Sequence, residues 1–162
     1  MIEVVLEGSY TSAEDRRRAY QIPQEELPPL TQLQERLAKA FGISAEEYAR
    51  CLLALEIGNK RREERARRLG AVVEEIAKEI DPDFQVTHII DNASSGRLLF
   101  RICKGPLEVQ RAFPKELGDS ILDEPGWGRL PELASIVEET VARMKERLAR
   151  PRKAAVDIDR EA

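Results

Sequence analysis

A single stripe runs through the middle of this chain. Tyr48, Leu52, Leu55, Asn59, Arg62, Ala66, Leu69, Val73, Ile76 and Ile80 follow one another at alternating steps of four and three residues. This is the 3.5-residue period with which a helix keeps one seam against a neighbour. The positions are apolar, counting Tyr and Ala, except for Asn59 and Arg62 at the centre. Ser44 followed by Glu47 has capping-box spacing and opens the helix. Asp81-Pro82 closes it, because a residue before proline is pushed out of the helical region. Uninterrupted, the helix would span about 54 Å, more than the diameter of a compact domain of this length. It must therefore protrude, lie against a partner, or bend. Gly58-Asn59 is the expected bend, since glycine costs about 1 kcal/mol in a helix interior.

The flanking segments supply the rest of the fold. Ile2, Val4 and Leu6 alternate with polar residues, a strand pattern ended by Gly8. Residues 9–29 are polar and contain Pro23, Pro28 and Pro29, which reads as a loop or arm with at most a helical turn around Ala13 to Ala19. Thr31 and Gln34 form another capping box, opening a short helix that carries Leu33, Leu37 and Phe41 and stops at Gly42. After the seam, Phe84 to Asp91, Arg97 to Cys103 and the weaker run Leu107 to Arg111 alternate as strands. The turn segments Asn92 to Gly96 and Lys104 to Pro106 separate them. Residues 114–128 read as loop. Pro131 suits the first turn of a last helix bearing Leu133, Val137, Val141, Met144 and Leu148.

The predicted architecture is an α+β domain over residues 1–150. A small antiparallel sheet of about three or four strands is covered by the long or bent central helix, the short preceding helix and the C-terminal helix, and the N-terminal strand can join the sheet. Residues 151–162, after Pro151, have little to bury and are expected to be disordered.

Bulk properties narrow function. With 162 residues the chain can bury a sizeable core without a metal or disulfide. A net charge of −4 argues against a global polyanion-binding field, although 35% of residues are charged. Cys51 and Cys103 form no CxxC and no disulfide framework, which fits a cytoplasmic setting. The N-terminus lacks the basic and apolar regions of a signal peptide, and no apolar run approaches a membrane span. There is no P-loop or GxGxxG, and neither a cofactor nor a metal site is expected.

The leading expectation is a non-catalytic interaction protein, acting through helix-mediated self-association or binding of a protein partner. Its candidate interface residues are Leu69, Val73, Ile76 and Ile80 on the seam, together with Trp127, the sole tryptophan. The same residues serve equally to pack the helix on its own sheet and to plug the core. A second expectation is a nucleic-acid-binding regulator. It would use Arg16, Arg17 and Arg18 with Lys60, Arg61, Arg65 and Arg68, although Glu63 and Glu64 stand at the spacing that pairs them with Arg67 and Arg68. The helix-turn-helix look of residues 37–51 is weak, because its second helix opens with Glu46 and Glu47, which repel phosphate. A third is a metal-dependent enzyme using Asp91, Asp119, Asp123 or Glu124. His88, the only histidine, is placed on the apolar strand face with Phe84, Val86 and Ile90, opposite Phe100, and away from Cys103.

Overall fold

The seam helix is continuous. In a computed structural model, which describes residues 1–123 and 129–150, it runs as α3 from Ala45 to Ile80. Ser44 Oγ accepts from the Glu47 amide at its start, and the Asp81 amide donates to Ala77 O at its end. The helix is not broken at Gly58, where a bend was expected. A Cβ there would lie 2.9 Å from Tyr10 O and 3.1 Å from Asp15 Oδ2, so this glycine permits a close approach by another segment of the chain.

The strand β1 (Glu3–Glu7) precedes α3. The strands β2 (Gln85–Asn92), β3 (Arg97–Lys104) and β4 (Leu107–Pro114) follow it. They form one sheet in sequence order. The meander β2–β3–β4 is antiparallel, as expected. β1 joins it in parallel to β2, with Glu3 opposite His88 and Glu7 opposite Asn92, so the sheet is mixed. A parallel neighbour requires a long crossover, and α3 belongs to that crossover.

A bulge between Val86 and His88 changes the phase of β2. Two residues of the bulged strand then oppose one of its partner, so Val86 and Ile89 both face the helices. Ile89 pairs with Phe100 and His88 with Arg101, which corrects the expected placement of His88 opposite Phe100. His88 instead shares the second face with Glu3, whose Oε2 lies 2.9 Å from His88 Nε2.

The core lies between that first face and three helices. α4 (Lys115–Asp123) occupies part of a segment read as loop, and α5 (Leu130–Ala149) is the expected last helix. Leu69 and Val73 of α3, Leu117 of α4, and Leu133, Val137, Val141 and Met144 of α5 close over Ile89, Phe100, Ile102 and Phe113. The seam's C-terminal half is thus covered by the chain itself. Only this half of α3 rests on the sheet. Its N-terminal half carries two shorter helices, α1 (Ala13–Gln21) and α2 (Gln32–Phe41). Within the arm expected over residues 9–29, Ala13–Gln21 form the helix α1. The short helix expected to cover the sheet, α2, packs on α3 instead.

Trp127 and Glu124 lie outside the described residues, as does the 151–162 tail expected to be disordered. No helix among the described residues is long and apolar enough to cross a membrane.

Candidate functional site

Two features of the helical half of the molecule bear on function: a node of ion pairs along α3 and an apolar stripe on α2.

The node explains the polar centre of the seam and most of the basic run. Arg62 is 1% exposed. Its Nε donates to Asp91 Oδ2 at 3.0 Å, NH1 to Gly8 O, and NH2 to Glu7 O and Asp91 O. The guanidinium therefore ties α3 to the C-terminal ends of β1 and β2 and satisfies carbonyls that those strand ends leave over. Asn59, its neighbour on the seam, is exposed. Of the two polar seam positions, only Arg62 is buried.

The neighbouring position of the run, Arg61, fastens α1. Asp15 closes the capping box of α1 by accepting from the Ser12 amide, and it also accepts from Arg61 Nε at 3.0 Å and NH2 at 2.9 Å. The bonds from Arg61 hold the Asp15 carboxyl far below the usual carboxylate range, against the opposing effect of burial and with help from the Ser12 amide. At the other end of α1, Arg50 NH1 donates to Ala19 O and Ile22 O while its Nε and NH2 hold Glu46. Two arginines of α3 thus bind the start and finish of α1, reaching an anionic cap and the carbonyl end of the helix.

On the opposite flank Arg65 pairs with Asp119 and Asp123 of α4. Its guanidinium holds Asp123 below its ordinary range. Lys60 pairs with Glu56, Arg67 with Glu63, and Arg18 with Glu14. Of the predicted nucleic-acid residues, Arg16, Arg17 and Arg68 stand exposed, whereas Arg61 and Arg65 are drawn into tertiary ion pairs. Asp119 and Asp123 come together, but around a guanidinium. Among the described residues no group of three or more His, Cys, Asp or Glu side chains could hold a metal ion.

The predicted interface residues are placed differently from the basic ones. Leu69 and Val73 are fully buried in the core, and Ile76 and Ile80 are half-buried against it. The first two are closed to a partner while the fold is intact.

The exposed apolar surface is instead on α2. Leu33 is 66% exposed, Leu37 37% and Phe41 69%. At i, i+4 and i+8 they share one face of the helix. The other side carries the buried Ala38. Both ends of α2 are fixed: Thr31 and Gln34 complete a capping box, and Gly42 at φ 72° receives the last turn, its amide donating to Ala38 O and Lys39 O. Sequence periodicity identified this stripe but not its exposure, because an apolar face looks alike whether it meets the chain's own core or a partner.

Comparison of the chain with protein-family models, with curated proteins and with solved structures finds no match.

Proposed function

We propose that the protein is a non-catalytic, cytosolic interaction module that captures an amphipathic helical segment of a protein partner on α2. The observation that carries this reading is the exposure of Leu33, Leu37 and Phe41 on a helix whose ends are well capped. Scattered surface apolar residues are ordinary, but a periodic row of large ones is the pattern of helix-in-groove or helix-on-helix recognition. The row spans about 12 Å, enough for two turns of a partner helix. Phe41 and Leu33 offer the central apolar anchors on which such interfaces depend. Self-association through the same stripe is the other form this interaction can take.

The test is a double Leu33→Ser, Phe41→Ser variant of the full chain. Its helicity and melting should match the parent, while its association with a partner co-purified from the native source, or its dimerisation in size exclusion with light scattering, is lost. If the parent is monomeric and both proteins retain the same partners to the same extent, the stripe is not the interface.

Nucleic-acid binding has less support, because the ion pairs at Arg61 and Arg65 occupy cations that phosphates would need.

A further inference from the structure

Asp91 does more than pair with Arg62. Its carboxylate is 4% exposed and only Oδ2 is engaged. Oδ1 is buried and has no hydrogen-bond partner among the described residues. A buried carboxylate oxygen without a partner is costly, and in native structures such an atom is met by a water, an ion or a ligand group. Asp91 lines a narrow cleft between α3 and α4, walled by Ala66, Leu69 and Leu98 on its apolar side and by Lys115 and Asp119 on its polar side. The inner cleft measures about 10 Å³, room for a single water-sized group. Arg61, Lys115 and Asp119 also border an open groove of about 370 Å³, shared with Tyr10, Ser12 and Ala93. The small inner seat and the larger outer one thus share three lining residues.

The chemistry of the two seats differs. Arg61, Arg62 and Arg65 are committed to Asp15, Asp91 and the Asp119–Asp123 pair. Lys115 is not committed in this way: its Nζ stands 3.8 Å from Asp91 Oδ2, beyond hydrogen-bond reach, and 5.7 Å from the centre of the Tyr10 ring. The inner seat therefore calls for one small donor, and the adjacent ammonium calls for an anionic oxygen. Of the four cations that line the cleft, Arg61, Arg62 and Arg65 are hydrogen-bonded to carboxylates and only Lys115 is not, so a ligand carrying both a donor and an anion suits it better than a simple anion. We infer that this cleft binds small α-hydroxy or α-amino carboxylates. Their hydroxyl or ammonium donates to Asp91 Oδ1, their carboxylate accepts from Lys115 Nζ, and any remaining substituent lies in the groove beside Tyr10. This site is independent of the α2 stripe.

The experiment is an amide-detected NMR titration of the isotope-labelled full chain with glycolate, glycine and acetate. Glycolate or glycine should produce saturable shifts at Ser12, Ala93 and Lys115. Acetate, which has the carboxylate but no donor for Asp91, should bind at least about tenfold more weakly, the scale of one lost charge-assisted hydrogen bond. Lys115→Met should weaken the better ligand by a similar factor, and Ala93→Leu, which narrows the groove, should do the same through shape alone. Preference for glycolate or for glycine separates the hydroxyl from the amino class. Three results would overturn the site: acetate binding as well as both; neither variant altering the titration; or no saturation by roughly 100 mM, far above the millimolar affinity such small ligands can reach. A crystal structure with a single water on Oδ1 that persists in saturating glycolate and glycine would do so as well.

Discussion

Arg62 Nε donates to Asp91 Oδ2 across 3.0 Å, joining the middle of a 36-residue helix to β2 near the C-terminal end of its parallel pairing. Both side chains are almost wholly buried. The pair stands where α3 leaves the sheet, and the same guanidinium holds the carbonyls of Glu7 and Gly8. The helix, β1 and β2 therefore share one polar fastening. Removing one partner leaves an uncompensated buried charge, so Arg62→Met should cost about 3–5 kcal/mol. The double variant Arg62→Met, Asp91→Leu should recover much of that loss, since the costly species is the orphan charge. Chemical denaturation of the three proteins checks both statements.

Asp15 sets an acid limit to stability. Its folded pKa is depressed, chiefly by Arg61. Its contribution is therefore fully present above the unfolded value near pH 4 and is lost as pH falls from there towards the lower folded value. Asp15→Asn should cost about 1–2 kcal/mol at neutral pH, through the weakened cap and the unpaired Arg61. It should also flatten the decline in melting temperature below about pH 4. A variant whose acid limb keeps the parental slope would place the acid sensitivity elsewhere.

Gly58→Ala puts two effects in opposition. Helix propensity alone favours alanine by about 1 kcal/mol. The added methyl would sit 2.9 Å from Tyr10 O, a backbone atom that cannot rotate away, and overpacking of this kind costs about 1–3 kcal/mol. The steric effect should win, giving net destabilisation and looser docking of α1. Hydrogen exchange should show it as faster exchange in residues 13–21 than in β3. An increase in stability would mean that the N-terminal segment yields easily.

Substitutions on the two apolar stripes should behave oppositely. Leu33→Ser and Phe41→Ser, on exposed positions, should each alter stability by no more than about 0.5 kcal/mol. Val73→Asp buries a charge among Leu69, Phe100 and Val137 and should prevent folding or cost more than about 4 kcal/mol. Thermal melts distinguish them. Charge placed at Val73 thus tests the core rather than an interface.

Where local chemistry decides structure, the sequence is informative. Thr31 with Gln34, Gly42, Ser44 with Glu47, and Asp81-Pro82 place the ends of α2 and α3, and alternation places β2 to β4. The seam residues Leu69 and Val73 are indeed interior. What periodicity could not carry was the choice of neighbour: Asn59 and Arg62 look alike as polar interruptions, yet one is exposed and the other is the most buried cation among the described residues. α1 was read as no more than a helical turn because its buried face is Ala19 and Asp15, and an aspartate that docks a helix has no hydrophobic signature. The S-x-x-D spacing of Ser12 and Asp15 was the available signal. α4 is short and interrupted by Gly118, with Leu117 and Ile121 as its only clear i, i+4 pair. The bulge at Val86 depends on pairing with β3 and shifts His88 to the other face. The cleft at Asp91 needs residues from β2, α3 and α4 at once, so no local pattern announces it.

The parallel pairing of β1 and β2 has a consequence for the order of assembly. Glu7 and Asn92, which touch across that pair, are 85 positions apart, whereas the hairpins of β2–β4 close over a few residues. Closing the longer loop adds an entropic cost that grows with the logarithm of its length, and contacts this distant are the slow ones in folding. The strand made first during synthesis is thus the last to find its place. Until it does, β2 presents a bare edge running from His88 to Asn92, and Arg62 lacks two of its carbonyls. The nascent chain is most exposed to mispairing with a second copy of itself during that interval, and the arrival of β1 ends it.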